Sequence, residues 1–202
     1  MARLLVYYAH PGQRHSRANR AMENAARNVD GITLVDLYHE YPRHDIDVEK
    51  EQQRLLDHDV IMFQFPLFWY STPSILKEWQ DLVLQHGFAY GQNGDRLEGK
   101  IMMLAVTAGG SDEAYTDKGY QHYPLRTFLV PLEQTARLCK MSFPAPYVLY
   151  SALTAEEDSD IAKHAEGYVK LLTAIRDDVY DFPASHDMEV VTHNNLPILQ
   201  GA

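Results

Sequence analysis

Three segments carry residue types that could do chemistry, and each stands where an apolar run gives way to a polar one. The first is Tyr8-Ala9-His10-Pro11-Gly12-Gln13-Arg14-His15-Ser16-Arg17-Ala18-Asn19. It leads into a helical pattern, so the unpaired N–H groups of a first helical turn face it, and Ser16, Arg17 and Asn19 add side-chain donors. That combination suits a phosphate. It contains neither GxGxxG nor a Walker lysine, which separates it from the dinucleotide and P-loop cradles. The second, Phe65 to Trp79, places Pro66, Phe68, Trp69, Tyr70 and Pro73 just past an apolar run. An aromatic loop at the carboxyl end of a strand is where open α/β sheets bind flat ligands. The third is Ala105-Val106-Thr107-Ala108-Gly109-Gly110-Ser111, with Tyr115 beyond it. Adjacent glycines let a ligand approach the main chain and free its N–H donors. Each segment alone also admits a structural reading: a capped loop, aromatics packed on their own domain, or a turn needing positive φ.

The elements that must position these segments are legible as alternating patterns. Strand-like runs occupy Arg3–Ala9, Ile32–Leu37, Val60–Phe65, Ile101–Val106 and Ser142–Tyr150. Helical patterns occupy Ser16–Val29, Val48–Leu56, Ser74–Gln85, Tyr123–Leu138 and Thr154–Tyr180. Ser16 reads as the N-cap of the first, and Thr154 with Glu157 as a capping box on the last. Pro131 predicts a kink or break, Pro144 and Pro146 interrupt the fifth strand, and Gly31 and Gly87 mark turns. Five βα units with near-continuous apolar strands imply a doubly wound α/β fold, a parallel sheet with helices on both faces. In strand order 2-1-3-4-5, the loops after strands one, three and four line one edge. A phosphate site, an aromatic plane and a glycine pair for a heterocycle's carbonyls fit flavin mononucleotide best among common ligands.

Composition bounds the rest. At 202 residues one domain is expected, over 1–182, followed by a tail over 183–202. Leu196, Ile198 and Leu199 are apolar for a solvated tail, so local anchoring there is expected, across a dimer or beside the site's mouth. A net charge of −10 without a basic cluster argues against nucleic-acid binding. No apolar run approaches a membrane span and no secretory pattern opens the chain, so no direct membrane insertion is expected. Cys139 is the only cysteine, which fits a reducing cytoplasm. His10/His15 and His39/His44 lack further partners at ligand spacing, so no metal is expected, and no Gly-x-Ser-x-Gly elbow points to a hydrolase.

The chain resembles the flavodoxin-like NAD(P)H:quinone oxidoreductases. Within them it is most similar to the bacterial ancillary flavoproteins of glutathione-gated potassium-efflux antiporters. The likeness runs from about Leu4 to about Tyr180. It rests on Tyr8-Ala9-His10-Pro11, Ser16-Arg17-Ala18-Asn19, Asp36-Leu37-Tyr38 with Tyr41-Pro42 and Ile46-Asp47, Pro66 to Trp79, His86-Gly87-Phe88-Ala89-Tyr90-Gly91, and Thr107-Ala108-Gly109-Gly110. The resemblance implies that His10 and Ser16, Arg17, Ala18 and Asn19 hold a flavin phosphate and ribityl chain. Pro66, Leu67, Phe68, Trp69 and Tyr70 would line the ring system. Thr107, Ala108, Gly109, Gly110 and Ser111 would face its N1–C2 side. Tyr115 matches a catalytic tyrosine of the larger quinone reductases. Their catalytic histidine maps to Gln121 by ungapped counting, or to His122 one residue on. The implied activity is hydride transfer from NADH or NADPH to a quinone through FMN, or less readily FAD, by ping-pong kinetics in a homodimer. Two other roles follow from the resemblance: a regulatory subunit on the cytoplasmic face of a potassium-efflux antiporter, peripheral to the inner membrane, or a flavodoxin-type electron carrier.

Overall fold

The computed structural model describes residues 1–12, 16–155 and 160–199. Five parallel strands form one sheet: β1 Leu4–Tyr8, β2 Ile32–Asp36, β3 Val60–Pro66, β4 Ile101–Thr107 and β5 Tyr147–Leu149, in the order β2-β1-β3-β4-β5. Every residue of β1, β3 and β5 is buried, as expected of strands covered on both faces. The register pairs Tyr8 with Gln64 and Pro66 with Thr107, so the carboxyl ends of β1, β3 and β4 lie abreast.

The helices divide between the two faces. On one, α1 (Ala18–Ala26) and α7 (Ala162–Arg176) bury Met22, Ala26, Tyr168, Leu171 and Leu172 against Leu4, Val6, Met62 and Met103. On the other, α3 (Val48–Asp57), α4 (Ser74–Val83), α5 (Leu125–Phe128) and α6 (Val130–Leu138) bury Leu55, Trp79, Leu125 and Leu132 against Leu5, Tyr7, Phe63 and Leu104. A short α2 (Leu37–Glu40) is capped by Asp36, whose carboxylate accepts from the N–H groups of Tyr38 and His39.

Several boundaries differ from the sequence expectation for physical reasons. The pattern over Tyr123–Leu138 breaks at Leu129, with Pro131 in the opening turn of α6, where its missing N–H costs nothing. β5 contracts to three residues because Pro144 and Pro146 cannot donate to a ladder. α1 begins at Ala18, with Arg17 rather than Ser16 in the N-cap position and no side-chain cap. α7 begins at Ala162; Thr154 is instead spent on a turn, donating through N–H and Oγ1 to the Ser151 carbonyl. Glu157, the other half of the expected capping box, lies outside the described residues.

The segment after α7 packs on its own chain. It forms α8 (Phe182–His186), and Val191 then adds to the outer edge of β5: its N–H donates to Pro146 O and its carbonyl accepts from Val148 N–H, both at 2.8 Å. Val191 is fully buried, whereas Ile198 and Leu199 remain 39% and 49% exposed, although Ile198 bridges Tyr180 and Leu196 packs on the α1/α7 cluster. Val191 is thus one anchor, on an unpaired sheet edge that offers main-chain hydrogen bonds as well as apolar surface. The expected anchoring at Leu196–Leu199 is present as well, with Asp181 N–H donating to Pro197 O and Leu199 N–H to Val179 O, both at 2.9 Å.

Candidate functional site

The loops after β1, β3 and β4 enclose a cavity of about 530 Å3 at the carboxyl edge of the sheet. Its walls are His10, Pro11, Gly12, Ser16, Arg17, Ala18, Asn19, Pro66, Leu67, Phe68, Thr107 and Gly109, with Ala152 and Leu153 from the loop after β5. The volume suits a small ligand, and the position is the switch point between β1 and β3.

The β1 wall is a donor surface. α1 opens without a side-chain cap, so the N–H groups of its first turn have no intrahelical acceptor. His10 accepts at Nδ1 from the Gly12 N–H at 3.1 Å, which leaves the proton of the neutral ring on Nε2. Burial lowers the His10 pKa and favours that neutral form.

The β3 wall ends in a tight hairpin. Phe68 and Ser71 exchange both N–H···O bonds (3.1 and 3.0 Å) around Trp69 and Tyr70, whose φ values are +47° and +63°. Such a turn favours glycine or asparagine; two aromatics there are strained, each by about 1–3 kcal/mol. The turn holds Trp69 outside the cavity, 93% exposed, and Tyr70 stacked on Phe128 at 4.9 Å. Of the three expected aromatics only Phe68 lines the cavity, edge-on to His10. Leu67 N–H is bonded to Thr107 O and Phe68 N–H to Ser71 O, so the donors this segment can offer a ligand are those of Trp69 and Tyr70.

The glycine pair after β4 does not sit at positive φ; space is the reason for glycine. A Cβ on Gly109 would stand 3.0 Å from Leu153 Cδ1, and one on Gly110 3.2 Å from Tyr115 Cε2. The loop after β5 straps this turn, because Ser151 and Ala152 N–H donate to Gly110 O and Ala108 O at 2.8 and 2.9 Å. The Gly109 and Gly110 N–H groups have no partner among the described residues. Sequence reasoning missed this strap; Ala152 and Leu153, small and apolar at a strand end, were its only signal. Ser111 turns inward on its own loop, its Oγ accepting from Ala114 N–H.

Tyr115 is buried behind Gly110, in ring contact with Phe128 and Tyr150, and burial with the nearby Tyr70 raises its pKa. His122 is exposed at φ +63°. Gln121 instead brings its Nε2 within 3.6 Å of where a Gly110 Cβ would be. Ala108, Gly110, Ser111, Trp69, Tyr70, Tyr115 and His122 thus stand outside the cavity's immediate wall.

Beneath the cavity lies a buried polar chain. Gln64 Nε2 donates to Asn19 O at 2.8 Å, and Asn19 Nδ2 donates to Thr107 Oγ1 at 2.6 Å. A second hollow of about 500 Å3 lies at the opposite sheet edge, but its Arg3 and Arg176 are already paired with Asp59 and Asp177. No cluster of metal-ligating side chains occurs among the described residues, and none of their helices is long and apolar enough to cross a membrane. Cys139 is buried, which pushes its thiol up to about 11 and makes it a poor nucleophile.

Comparison with known proteins places this geometry. Residues 2–172 match the family described as flavodoxin-like fold. The glutathione-regulated potassium-efflux system ancillary protein KefG of Cronobacter sakazakii is 42% identical over 171 residues, 85% of this chain and 92% of that protein. The crystal structure of general stress protein 14 from Treponema denticola, in complex with FMN, superposes with a TM-score of 0.80 at 32% identity, covering 86% of this chain and 99% of that one. An NADPH-quinone reductase from P. pentosaceus superposes at 0.71 with 27% identity, over 83% and 96% of the two chains.

Proposed function

Because the chain belongs to the flavodoxin-like fold family, we propose that it binds FMN in the β1/β3/β4 cavity and passes two electrons from NADH or NADPH to a quinone. The observation that carries this reading is a set of donors that have no acceptor among the described residues and meet at one cavity: the first turn of α1, His10 Nε2–H, the Thr107 hydroxyl and the Gly109 N–H, with the Gly110 N–H just behind that wall. They fit an anionic phosphate at one end and ring carbonyls at the other. FMN is favoured over FAD by the FMN complex of the T. denticola relative.

Bound FMN would supply the hydride chemistry. Ser16, Arg17, Ala18 and Asn19 would seat the phosphate, with His10 donating to the phosphate or ribityl chain. Pro66, Leu67 and Phe68 would hold the ring system, and the N–H groups of Trp69 and Tyr70 would reach its edge. The N–H groups of Gly109 and Gly110 would stabilise negative charge on the N1–C2 side, supported by Tyr115, with Thr107, Ala108 and Ser111 shaping that wall. Gln121 rather than His122 would assist; an amide can donate a hydrogen bond there but cannot relay a proton. If donor and acceptor used the same side of the cavity in turn, the kinetics would be ping-pong. The exposed aromatics Trp69, Tyr70 and Tyr123, gathered around the partly buried Phe128, would be covered by a second copy.

A second role is supported by the 42% identity to a KefG protein: an ancillary subunit docked on a potassium-efflux system at the membrane surface. The two are compatible. Oxidation of NADH and NADPH by the purified protein, with and without a quinone, tests the enzyme reading. Turnover no faster than free FMN would leave the ancillary role.

A further inference from the structure

We propose that Gln64 is a positioning residue: through Asn19 it turns the Thr107 hydroxyl into a hydrogen-bond donor presented to the cavity. The inference rests on the flavin-binding reading for the ligand's identity, though not for the direction of the hydrogen bonds.

Gln64, Asn19 and Thr107 are 0%, 2% and 5% exposed, on β3, α1 and the last residue of β4. Gln64 Nε2 faces two oxygens of Asn19, the main-chain O at 2.8 Å and Oδ1 at 3.5 Å. The reverse amide orientation would set Gln64 Oε1 against those same two acceptors. The observed orientation is kept even though it leaves Oε1 buried without a partner among the described residues, an arrangement that buried amides avoid unless something else dictates it. With its Oδ1 turned to Gln64, Asn19 must offer Nδ2 to Thr107, and it does so at 2.6 Å. A threonine hydroxyl that accepts there still has its own proton to donate. That O–H has no acceptor among the described residues, and Thr107 lines the cavity. Its main chain is fixed as well, since Thr107 O accepts from Leu67 N–H at 2.9 Å. The three links run in one direction, from mid-sheet to the cavity wall, and end in a donor.

The group recognised is therefore an acceptor: a ribityl oxygen or a ring carbonyl. A donor fixed in advance holds such an atom more strongly as it gains negative charge.

The test reverses the chain. In Gln64→Glu, read at a pH high enough to ionise the buried carboxyl, the side chain can only accept, so Asn19 must turn Nδ2 toward it, and the Thr107 hydroxyl is then drawn to donate to Asn19 Oδ1 instead of to the cavity. Gln64→Met keeps the volume and removes the directing group, which covers failure of the glutamate variant to fold. FMN affinity is read from fluorescence quenching and the midpoint potential from dye-coupled titration. Both variants should bind FMN about five- to thirtyfold more weakly, the scale of one hydrogen bond lost from a buried network, and should shift the potential downward. Both effects should disappear in a Thr107→Val background. Wild-type affinity and potential in Gln64→Met, or effects that persist undiminished without the Thr107 hydroxyl, would overturn the proposal. A ligand-free readout separates it from the flavin reading. In the protein without FMN, the Asn19 side-chain amide resonances should shift on Gln64→Met and on Thr107→Val. Unchanged resonances would overturn the positioning role whether or not FMN binds.

Discussion

Two buried polar clusters stand on opposite faces of the same sheet, and they differ in one respect. Glu51, fully buried on α3, accepts from Tyr7 Oη, Tyr41 Oη, Trp79 Nε1 and Arg54 Nη1. Arg54 is held in turn by Glu40, so the cluster closes on itself. Gln64, Asn19 and Thr107 form a chain that is open at both ends, with an orphaned Oε1 inside and a free hydroxyl at the cavity. A closed network repays the cost of burying polar groups and fixes how helices meet the sheet. An open one spends part of that gain on holding a donor ready for something that is not protein. This difference is what separates a structural cluster from a site here.

The comparison predicts where each cluster breaks. Glu51→Ala should have the largest effect on folding. It strands two phenols and an indole and leaves Arg54 with Glu40 alone, and should lower unfolding free energy by roughly 3–5 kcal/mol. Urea denaturation measures it, while the FMN affinity of the folded variant should stay within about twofold. A marginal stability loss would mean that solvent replaces the carboxylate and the network is not closed.

Gly109→Val with Gly110→Val should do the opposite. The added carbons would collide with Leu153 and Tyr115 and close the main chain to a ligand. FMN binding should fall at least about a hundredfold, with the circular dichroism spectrum retained. Full flavin occupancy would remove this loop from the site.

Tyr115→Phe sharpens the contrast further, because Tyr115 is buried yet adjacent to the glycine pair. Stopped-flow reduction by NAD(P)H should slow about ten- to a hundredfold, with a smaller change in FMN affinity. Equal rates would leave the ring as packing against Phe128 and Tyr150.

The smallest effect concerns a buried polar side chain in neither cluster. His164 is 1% exposed, stacked on Tyr147 at 4.3 Å, and neither ring nitrogen has a partner among the described residues. Burial, with His193 beside it, lowers its pKa to about 3. The native state therefore holds it neutral while the unfolded chain protonates near its ordinary value of about 6.5. Its contribution to stability is present above that value and is lost as pH falls from there toward 3. The difference in melting temperature between pH 7 and pH 4.5 should shrink by a few degrees in His164→Phe. An unchanged difference would assign the acid sensitivity to other groups.

Much of the fold was legible because parallel strands buried on both faces must be apolar throughout, and β1, β3 and β4 show it directly. The parallel sheet followed from the alternation of elements; the order 2-1-3-4-5 came from the doubly wound class, and with it the three loops meet at one edge. Where local signals misled, long-range contacts had overridden them. Ser16 looked like a cap, but α1 leaves its first turn open toward the cavity. Trp69 looked like a stacking surface, but a tight turn at positive φ points it outward. The glycine pair answered a demand for space rather than for φ, which no single segment reveals. Gln64 was read only as part of an apolar strand; the Gln64–Asn19 and Asn19–Thr107 links of its network span 45 and 88 positions and form only in the folded sheet.

The account turns on what the β1/β3/β4 cavity holds. Protein purified without added cofactor, denatured, and its released chromophore identified by mass and quantified by absorbance, tests this most directly. The predicted result is FMN at about one molecule per chain, or stoichiometric uptake of FMN by any flavin-free fraction with quenching of its fluorescence. Protein that neither releases a flavin nor binds FMN at micromolar concentration would contradict it.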